Sequence, residues 1–273
     1  MSPASAVTAR GRAGTCERGA SRRPVLHREP MGTRRPAPGR PGAQEWLPRR
    51  RAASDVDAHA RAARECHGCE LWAHATQVVF SRGPEHARLL PDEHQPGDRE
   101  DREGEPFVGP AGRLLDEALD AAGLSAADVY LTNAVKHFRF EERGKRRLHK
   151  SPDVAHVRAC LPWLTAEVAA VAPRVVVAMG ATAGRSVLGR PVRVTAERGR
   201  VLDLGDEGAE SASPLSPGTP DGGRSPRPER PPRVVLTTHP SALLRVRDRA
   251  EREAAFAAFV DDLRLASDAA GVR

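Results

Sequence analysis

The sequence predicts an α/β protein: a single three-layer α/β/α domain built on a central, mainly parallel sheet. Two observations carry that prediction. The runs RVVVAM (174–179) and RVVLTT (233–238) are apolar without alternation, as in strands buried on both faces. Between such runs lie segments with apolar residues at helical spacing, so strands and helices alternate along the chain. In sheets of this kind ligands bind beyond the carboxyl ends of the strands. Asn133 and His239 both stand at such ends.

Taken in order, residues 1–50 are rich in Arg, Pro, Gly and Ala with almost no aliphatic periodicity. They bury too little apolar surface to offset chain entropy and are expected to form a disordered basic tail that includes Cys16. The folded domain is expected over 54–268. Its first helix runs from Ser54, as N-cap, toward Cys66, with Asp57 three residues into it. GRLLDEALDAA (112–122) puts Leu114, Leu115, Ala118 and Leu119 on one helical face, and Gly123 stops it. Residues 129–133 form a short strand. A helix over 154–171 takes Ser151 as its cap, with Pro152 in the first turn. The strand at 174–179 ends at Gly180 and leads into a helix through Leu188. Residues 203–232 are of low complexity and read as a surface insertion. The strand at 233–238 ends in His239-Pro240-Ser241, and an amphipathic helix closes the domain over 248–266. Without tail and insertion roughly 190 residues remain, a single-domain size.

The 43 Lys and Arg outnumber the 36 Asp and Glu, for a net charge of +7. That suits a polyanionic partner, but arginine also crowds the low-complexity stretches, so charge alone does not define one. No run of about 18 apolar residues is present, so no membrane span is expected. The basic N-terminus has no apolar core before a small-residue cleavage site, so no secretory signal is expected either. Four cysteines in 273 residues do not read as a disulfide scaffold; in a reducing compartment they are metal ligands or buried thiols.

Five features carry chemistry. Cys66-His67-Gly68-Cys69 has the spacing of two thiolates on one metal or cluster. Cys160 and His137 would complete four-coordination for zinc or for an iron–sulfur cluster, and spacing does not choose between them. The alternative is that Cys160 is a small buried hydrophobe and the CxxC a redox pair or a coincidence. KRRLHK (145–150) offers Lys145, Arg146 and Arg147 to phosphate, or is a solvated basic loop. Positive charge around His149 disfavours its protonation and keeps a lone pair available near neutral pH. Phe107, in a stiff loop of glycines and prolines, is placed either to stack on a base or to plug the core. His239 in THPS and Asn133 in LTNAVK complete the set; asparagine at a strand end also caps turns.

Together and in order, these segments resemble the family-four group of uracil-DNA glycosylases, over about residues 60–266. The resemblance rests on CxxC, QPGD (95–98), EPFVGPAGRLLD (105–116), YLTNAVKH (130–137), CxxWL (160–164), VVVAMGATA (175–183) and THPS (238–241). His137, where most members have cysteine, and the KRRLH loop are similar to the UdgX branch. The resemblance implies a structural 4Fe-4S cluster on Cys66, Cys69, His137 and Cys160. It implies a flipped uracil stacked on Phe107 and read by Asn133, with His239 stabilising charge on the uracil O2 as the glycosidic bond breaks. Gln95 and Asp98 belong to its catalytic loop, and Lys145, Arg146, Arg147, Ser241 and Arg245 to its DNA contacts. In the UdgX type the loop histidine, here His149, traps the sugar covalently, favoured over water by its tethering. The implied partner is uracil-containing DNA, preferably single-stranded, and the implied protein a monomer of the cytoplasm, associated with the nucleoid. Three other readings remain: a glycosylase that uses water, a catalytically weak binder of damaged DNA, and a metal-free RNA binder.

One stretch departs from the family. Its first motif is an apolar strand running into Gly-Glu-Gln-Pro-Gly; here the sequence is LLPDEHQPG (89–97). Pro91 has no N–H to give a central ladder and Asp92 places a charge where a buried strand continues, so a weakened first strand is expected. The catalytic-loop glutamate is then either His94, in strict register, or Glu93, displaced by one.

Overall fold

The structure, a computed structural model, describes residues 41–48, 55–204, 213–215 and 231–272. Most of the expected tail, with Cys16 and Ser54, and most of the 203–232 insertion lie outside the described residues. Eight strands are present among them: β1 (Ser81–Arg82), β2 (Leu89–Glu93), β3 (Leu131–Asn133), β4 (Phe140–Arg143), β5 (Arg146–His149), β6 (Val175–Met179), β7 (Val201–Leu202) and β8 (Arg233–Thr237). Six build one sheet in the order β1-β3-β2-β6-β8-β7, parallel at the four central strands and antiparallel at both edges. β4 and β5 form a separate hairpin.

The apolar strands alternate their faces, as the two-residue period of a strand requires. Leu90, Val176, Ala178, Val234 and Leu236 pack with Trp163, Leu164 and Val168 of α4 (Val154–Val171) and Ala183 and Val187 of α5 (Ala181–Leu188). Leu89, Val175, Val177, Met179 and Val235 belong to the opposite cluster, with Leu115 and Leu119 of α3 (Pro110–Ala121) and Phe259 and Leu263 of α8 (Arg249–Ala270). Helices therefore cover both faces, the predicted three-layer arrangement. The remaining helices are α1 (Val56–Ala63), α2 (Asp98–Glu103), α6 (Val194–Glu197) and α7 (Pro240–Leu243).

Several boundaries differ from the sequence reading. Asp55 caps α1, its carboxylate accepting from the Ala58 N–H at 2.8 Å. Asp153, not Ser151, caps α4 through a reciprocal box with His156. α8 continues to Ala270, where Gly271 adopts the left-handed conformation that ends helices. Residues 43–46, expected in the tail, form a short 3-10 helix whose Ala43 is fully buried. Ser213 and Leu215, within the expected insertion, are also buried in the core.

The first strand forms, and the weakening expected of it is confined to the β3 side. β2 is a central strand, buried along its whole length, with parallel partners on both sides. Leu89 turns both its N–H and its carbonyl toward the β3 side, bonding Asp128 and Tyr130, and the Glu93 carbonyl accepts from Ala134 there. Pro91 shares their parity, so its missing N–H falls on the β3 side, where pairing is interrupted between the Leu89–Val129 bridge and Asp92–Thr132. The ladder to β6 runs unbroken from Leu89 to Asp92. The Asp92 side chain is fully buried and takes the Ser186 hydroxyl at 3.2 Å.

Candidate active site

The carboxyl ends of β2, β3 and β8 converge, and the loops that follow them carry the polar side chains of the site. β2 ends at Glu93 and is followed by His94 and Gln95; β3 ends at Asn133; β8 leads into His239, the N-cap of α7. The His239 Nδ1 accepts the Ser241 N–H at 3.0 Å, which leaves the ring proton on Nε2. That Nε2 lies 3.4 Å from Glu93 Oε2 but is not aligned for a hydrogen bond. Burial alone would raise the Glu93 carboxyl, but His239 beside it and nearby His94 and His149 bring it below its ordinary value.

The β4–β5 hairpin delivers His149 to this place from across 54 residues of chain. Gln95 closes the hairpin's open end: its Oε1 accepts the Arg139 N–H at 3.1 Å, and its Nε2 faces the carbonyls of Arg139 and Lys150 at 3.2 and 3.0 Å. The His149 Nε2 lies 3.0 Å from both Gln95 Nε2 and His94 Nε2. His149 is exposed as a residue, yet its ring tip is enclosed by these neighbours. That enclosure lowers its pKa; Glu93 opposes the shift, and His239 and Arg245 add to it. The direction is the one expected from sequence, but its first cause is burial and not the charge of its own loop. His94 is pushed down to about 3, again chiefly by burial, and is neutral at all ordinary pH.

Arg147 is not available to phosphate as expected. Its guanidinium bonds Asp98 Oδ1 at 2.5 Å and Asp101 Oδ2 at 2.6 Å and lies over the Phe138 and Phe140 rings. It anchors the hairpin to α2, and Asp98 is the other half of that anchor. Lys145 and Arg146 are exposed at the hairpin tip; Arg245, also exposed, bonds the Ser241 hydroxyl at 3.3 Å.

Asn133 is almost wholly buried, and its Nδ2 has no hydrogen-bond partner among the described residues. Buried amide nitrogens are nearly always satisfied, so a bare one at a strand end marks a place for an acceptor. Phe107 is buried in the cluster containing Leu115 and Met179 and sits at φ +60°, a conformation that costs about 1–3 kcal/mol outside glycine. Gly112 permits it: a Cβ there would stand 1.8 Å from the Phe107 carbonyl oxygen.

Cys66, Cys69 and Cys160 are all buried free thiols. The Cys69 and Cys160 thiols are hydrogen-bonded, which, before burial, raises Cys160 well above its usual range. Burial also raises Cys66, whose sulfur accepts the Trp163 indole N–H at 3.4 Å. His137 is buried and pushed down to about 4, so it offers a neutral nitrogen. Three buried thiols and a neutral imidazole fit the donor set of an iron–sulfur cluster; among the described residues they are not drawn together as closely as one zinc ion requires. Glu93, His94 and His239, by contrast, bring three ligand atoms within 4.8 Å of one another. There the Ser241 cap keeps a proton on the His239 Nε2, so those residues are set as donor and acceptor and not as a ligand set.

Two features escaped the sequence reading. Lys136 and Glu167 form a buried ion pair at 2.5 Å between Asn133 and His137 on one side and α4 on the other. Glu100, buried in α2, accepts the Gly109 N–H at 2.7 Å and ties the Phe107 loop to the loop after Gln95. A charged residue inside an apolar pattern was the available signal for Lys136 and Glu167; Glu100 lies in the all-charged DREDRE and had none.

A parallel three-layer fold, with this polar cluster at the ends of its strands, is the architecture of a known class. The chain belongs to the uracil DNA glycosylase superfamily, which it matches over residues 80–264. The type-4 uracil-DNA glycosylase of Thermotoga maritima is 33% identical over 185 residues, covering 67% of this chain and 80% of that protein. That of Saccharolobus solfataricus is 32% identical over 127 residues, 46% of this chain and 56% of the relative. The Archaeoglobus fulgidus type-4 enzyme is 33% identical over 132 residues, 48% and 63%. The chain thus spans between half and two thirds of the length of the latter two.

Proposed function

We propose that the protein excises uracil from DNA and captures the resulting sugar on His149. The observation that carries this reading is the His149 imidazole, brought by the β4–β5 hairpin against Gln95 and His94 at the carboxyl ends of the parallel strands. A flipped uracil stacks on Phe107, and the bare Asn133 Nδ2 donates to its O4 while the amide oxygen accepts from N3–H. Cytosine reverses that donor and acceptor pattern and leaves buried groups unpaired. As the C1′–N1 bond breaks, its electron pair moves onto the base, and the His239 Nε2–H stabilises the charge growing on O2. A neutral His149 nitrogen forms the new bond to C1′. The proton lost from the alkylated imidazolium balances the one taken up by the leaving uracil.

Gln95 holds the hairpin, Asp98 holds Arg147, and Lys145, Arg146, Ser241 and Arg245 face the backbone of a single-stranded substrate. Cys66, Cys69, His137 and Cys160 would hold a 4Fe-4S cluster, whose contribution is to tie the CxxC loop to α4 and the end of β3. The setting is a monomer acting on DNA in the cytoplasm. Water replaces His149 as the nucleophile in a second reading, supported by Glu93, a buried carboxylate held below its ordinary pKa beside His239.

The test uses a labelled, uracil-containing single-stranded oligonucleotide and a denaturing gel. A band shift that survives heat and detergent and is lost in His149→Gln is the expected result. An unshifted strand that breaks under alkali establishes the water reading, and an intact strand refutes both.

A further inference from the structure

We propose that His94 is a positioning residue that fixes the tautomer of His149, holding its Nε2 as a bare lone pair that accepts the His94 N–H beside the Gln95 amide. This rests on the reading of His149 as the nucleophile, and it concerns the proton inventory around that one atom.

The inventory begins at Gln95. Its Oε1 accepts the Arg139 N–H, so its amide cannot be turned over, and its NH2 must face His149 and the two carbonyls of the hairpin. Those two carbonyls take both amide protons, and the amide nitrogen has no free lone pair to accept with, so a proton on His149 Nε2 would meet the positive face of this NH2 group at 3.0 Å. His149 Nε2 is therefore unprotonated, and its ring proton is on Nδ1. The second neighbour at 3.0 Å is His94 Nε2. Two bare nitrogens at that distance repel, so His94 Nε2 carries its proton and donates. His94 is held neutral by its enclosure, with Arg245, His239 and His149 itself opposing a charge and only Glu93 favouring one. It thus acts as a neutral donor.

A glutamate at position 94 would do the reverse. It would accept from His149 Nε2, transfer the ring proton to that atom and favour the imidazolium. The groups facing the His149 ring are Glu93, His94, Gln95, His239, Arg245 and the Phe138 ring. Glu93 is the one carboxylate among them. His94 and Gln95 therefore keep this imidazole neutral and its Nε2 presented, without the help of a base. When the sugar arrives, the lone pair leaves the His94 N–H for C1′, and the proton to be discharged is the one on Nδ1.

The experiment measures the His149 ionisation directly, by NMR titration of protein with isotope-labelled histidine, in the wild type, His94→Gln and His94→Glu. Uracil release and adduct formation are followed on the same samples across pH. Gln restores an N–H donor, so His149 should titrate as in the wild type, below its ordinary value. Glu should raise the His149 pKa by one unit or more, as an opposite charge at this range does. It should also move the acidic limb of adduct formation up by the same amount. Equal titration of His149 in all three proteins overturns the proposal, and so does a rise in His94→Gln matching that in His94→Glu. The titration is read without DNA, so a protein that forms no adduct still decides the tautomer, and the gel decides the nucleophile.

Discussion

Replacing Lys136 with methionine should be among the most destabilising single changes in this protein. Lys136 and Glu167 are 1% and 0% exposed and 2.5 Å apart. All three ammonium protons are used: Lys136 also donates to Thr132 Oγ1 at 2.6 Å and to the Phe80 carbonyl at 3.2 Å. Glu167 also accepts from Thr132 at 2.8 Å and from the Tyr130 hydroxyl at 3.0 Å. Burial already pushes the Glu167 carboxyl up, and Lys136 is the main group that opposes this. Without the ammonium, a carboxylate stands uncompensated in the core at a cost of about 3–5 kcal/mol. Against a typical domain stability of about 5–15 kcal/mol that is a large fraction. Lys136→Met with Glu167→Leu removes both charges, and Tyr130 retains Ser81 at 2.7 Å, so most of the loss should return. Urea unfolding of the wild type, the single variant and the double variant supplies the three free energies. A single variant within about 1 kcal/mol of wild type, or a double variant no better than the single, would refute the reasoning. The pair also brackets function, because Asn133 and His137 lie on either side of Lys136 in one short segment.

Two further outcomes are expected. His94 has an ordinary pKa of 6.5 and a folded value of about 3, so between those limits the unfolded chain binds more protons. Stability should therefore fall as pH drops below 6.5, by up to about 1.4 kcal/mol per unit from this group. His94→Gln should flatten the portion between pH 6.5 and 5 in urea midpoints, and an unaltered slope there would count against the burial of His94. Arg147→Ala should destabilise by about 2 kcal/mol, because it removes charge-assisted bonds to Asp98 and Asp101. It should leave the salt dependence of DNA binding almost unchanged. A phosphate ligand would behave in the opposite way, with intact stability and a salt slope reduced by about one.

The sheet was legible because β6 and β8 are apolar without interruption, and helices with an apolar stripe separate them. Caps were less so: Asp55 and Asp153 stand one and two residues beyond the expected Ser54 and Ser151, and any of the four suits the position chemically. α8 outruns its predicted end because its last turn, SDAA, is weakly apolar; Gly271 was the better signal. At the site, Asn133 and His239 could be placed from strand ends alone. His149 could not, because it reaches Gln95 through a hairpin whose residues, FEER and RRLH, are polar and carry no strand pattern against a core. Its basic loop drew attention to that histidine, and only the resemblance gave it a place at the site. Arg147 was misread for the same reason: its sequence neighbours are basic, but the carboxylates that hold it are on α2. Nor does composition reveal that Phe107 requires a positive φ, which depends on Gly112 five residues away.

The altered first motif separates two demands that usually coincide in one strand. A parallel central strand must fill both of its ladders and both of its faces, whereas a catalytic loop needs only a fixed departure point. Pro91 gives up one bond on the β3 side while the β6 ladder is kept, and Asp92 is buried against the Ser186 hydroxyl. Burial pushes the Asp92 carboxyl well above its ordinary range, which favours the protonated acid and removes most of the penalty a charge would carry. The strand therefore still ends where β3 and β8 end. From that fixed end Glu93 turns toward His239, His94 toward His149, and Gln95 into the hairpin. Pro91 costs one ladder bond and Asp92 a desolvated carboxyl, and neither moves the point from which the loop to Gln95 departs.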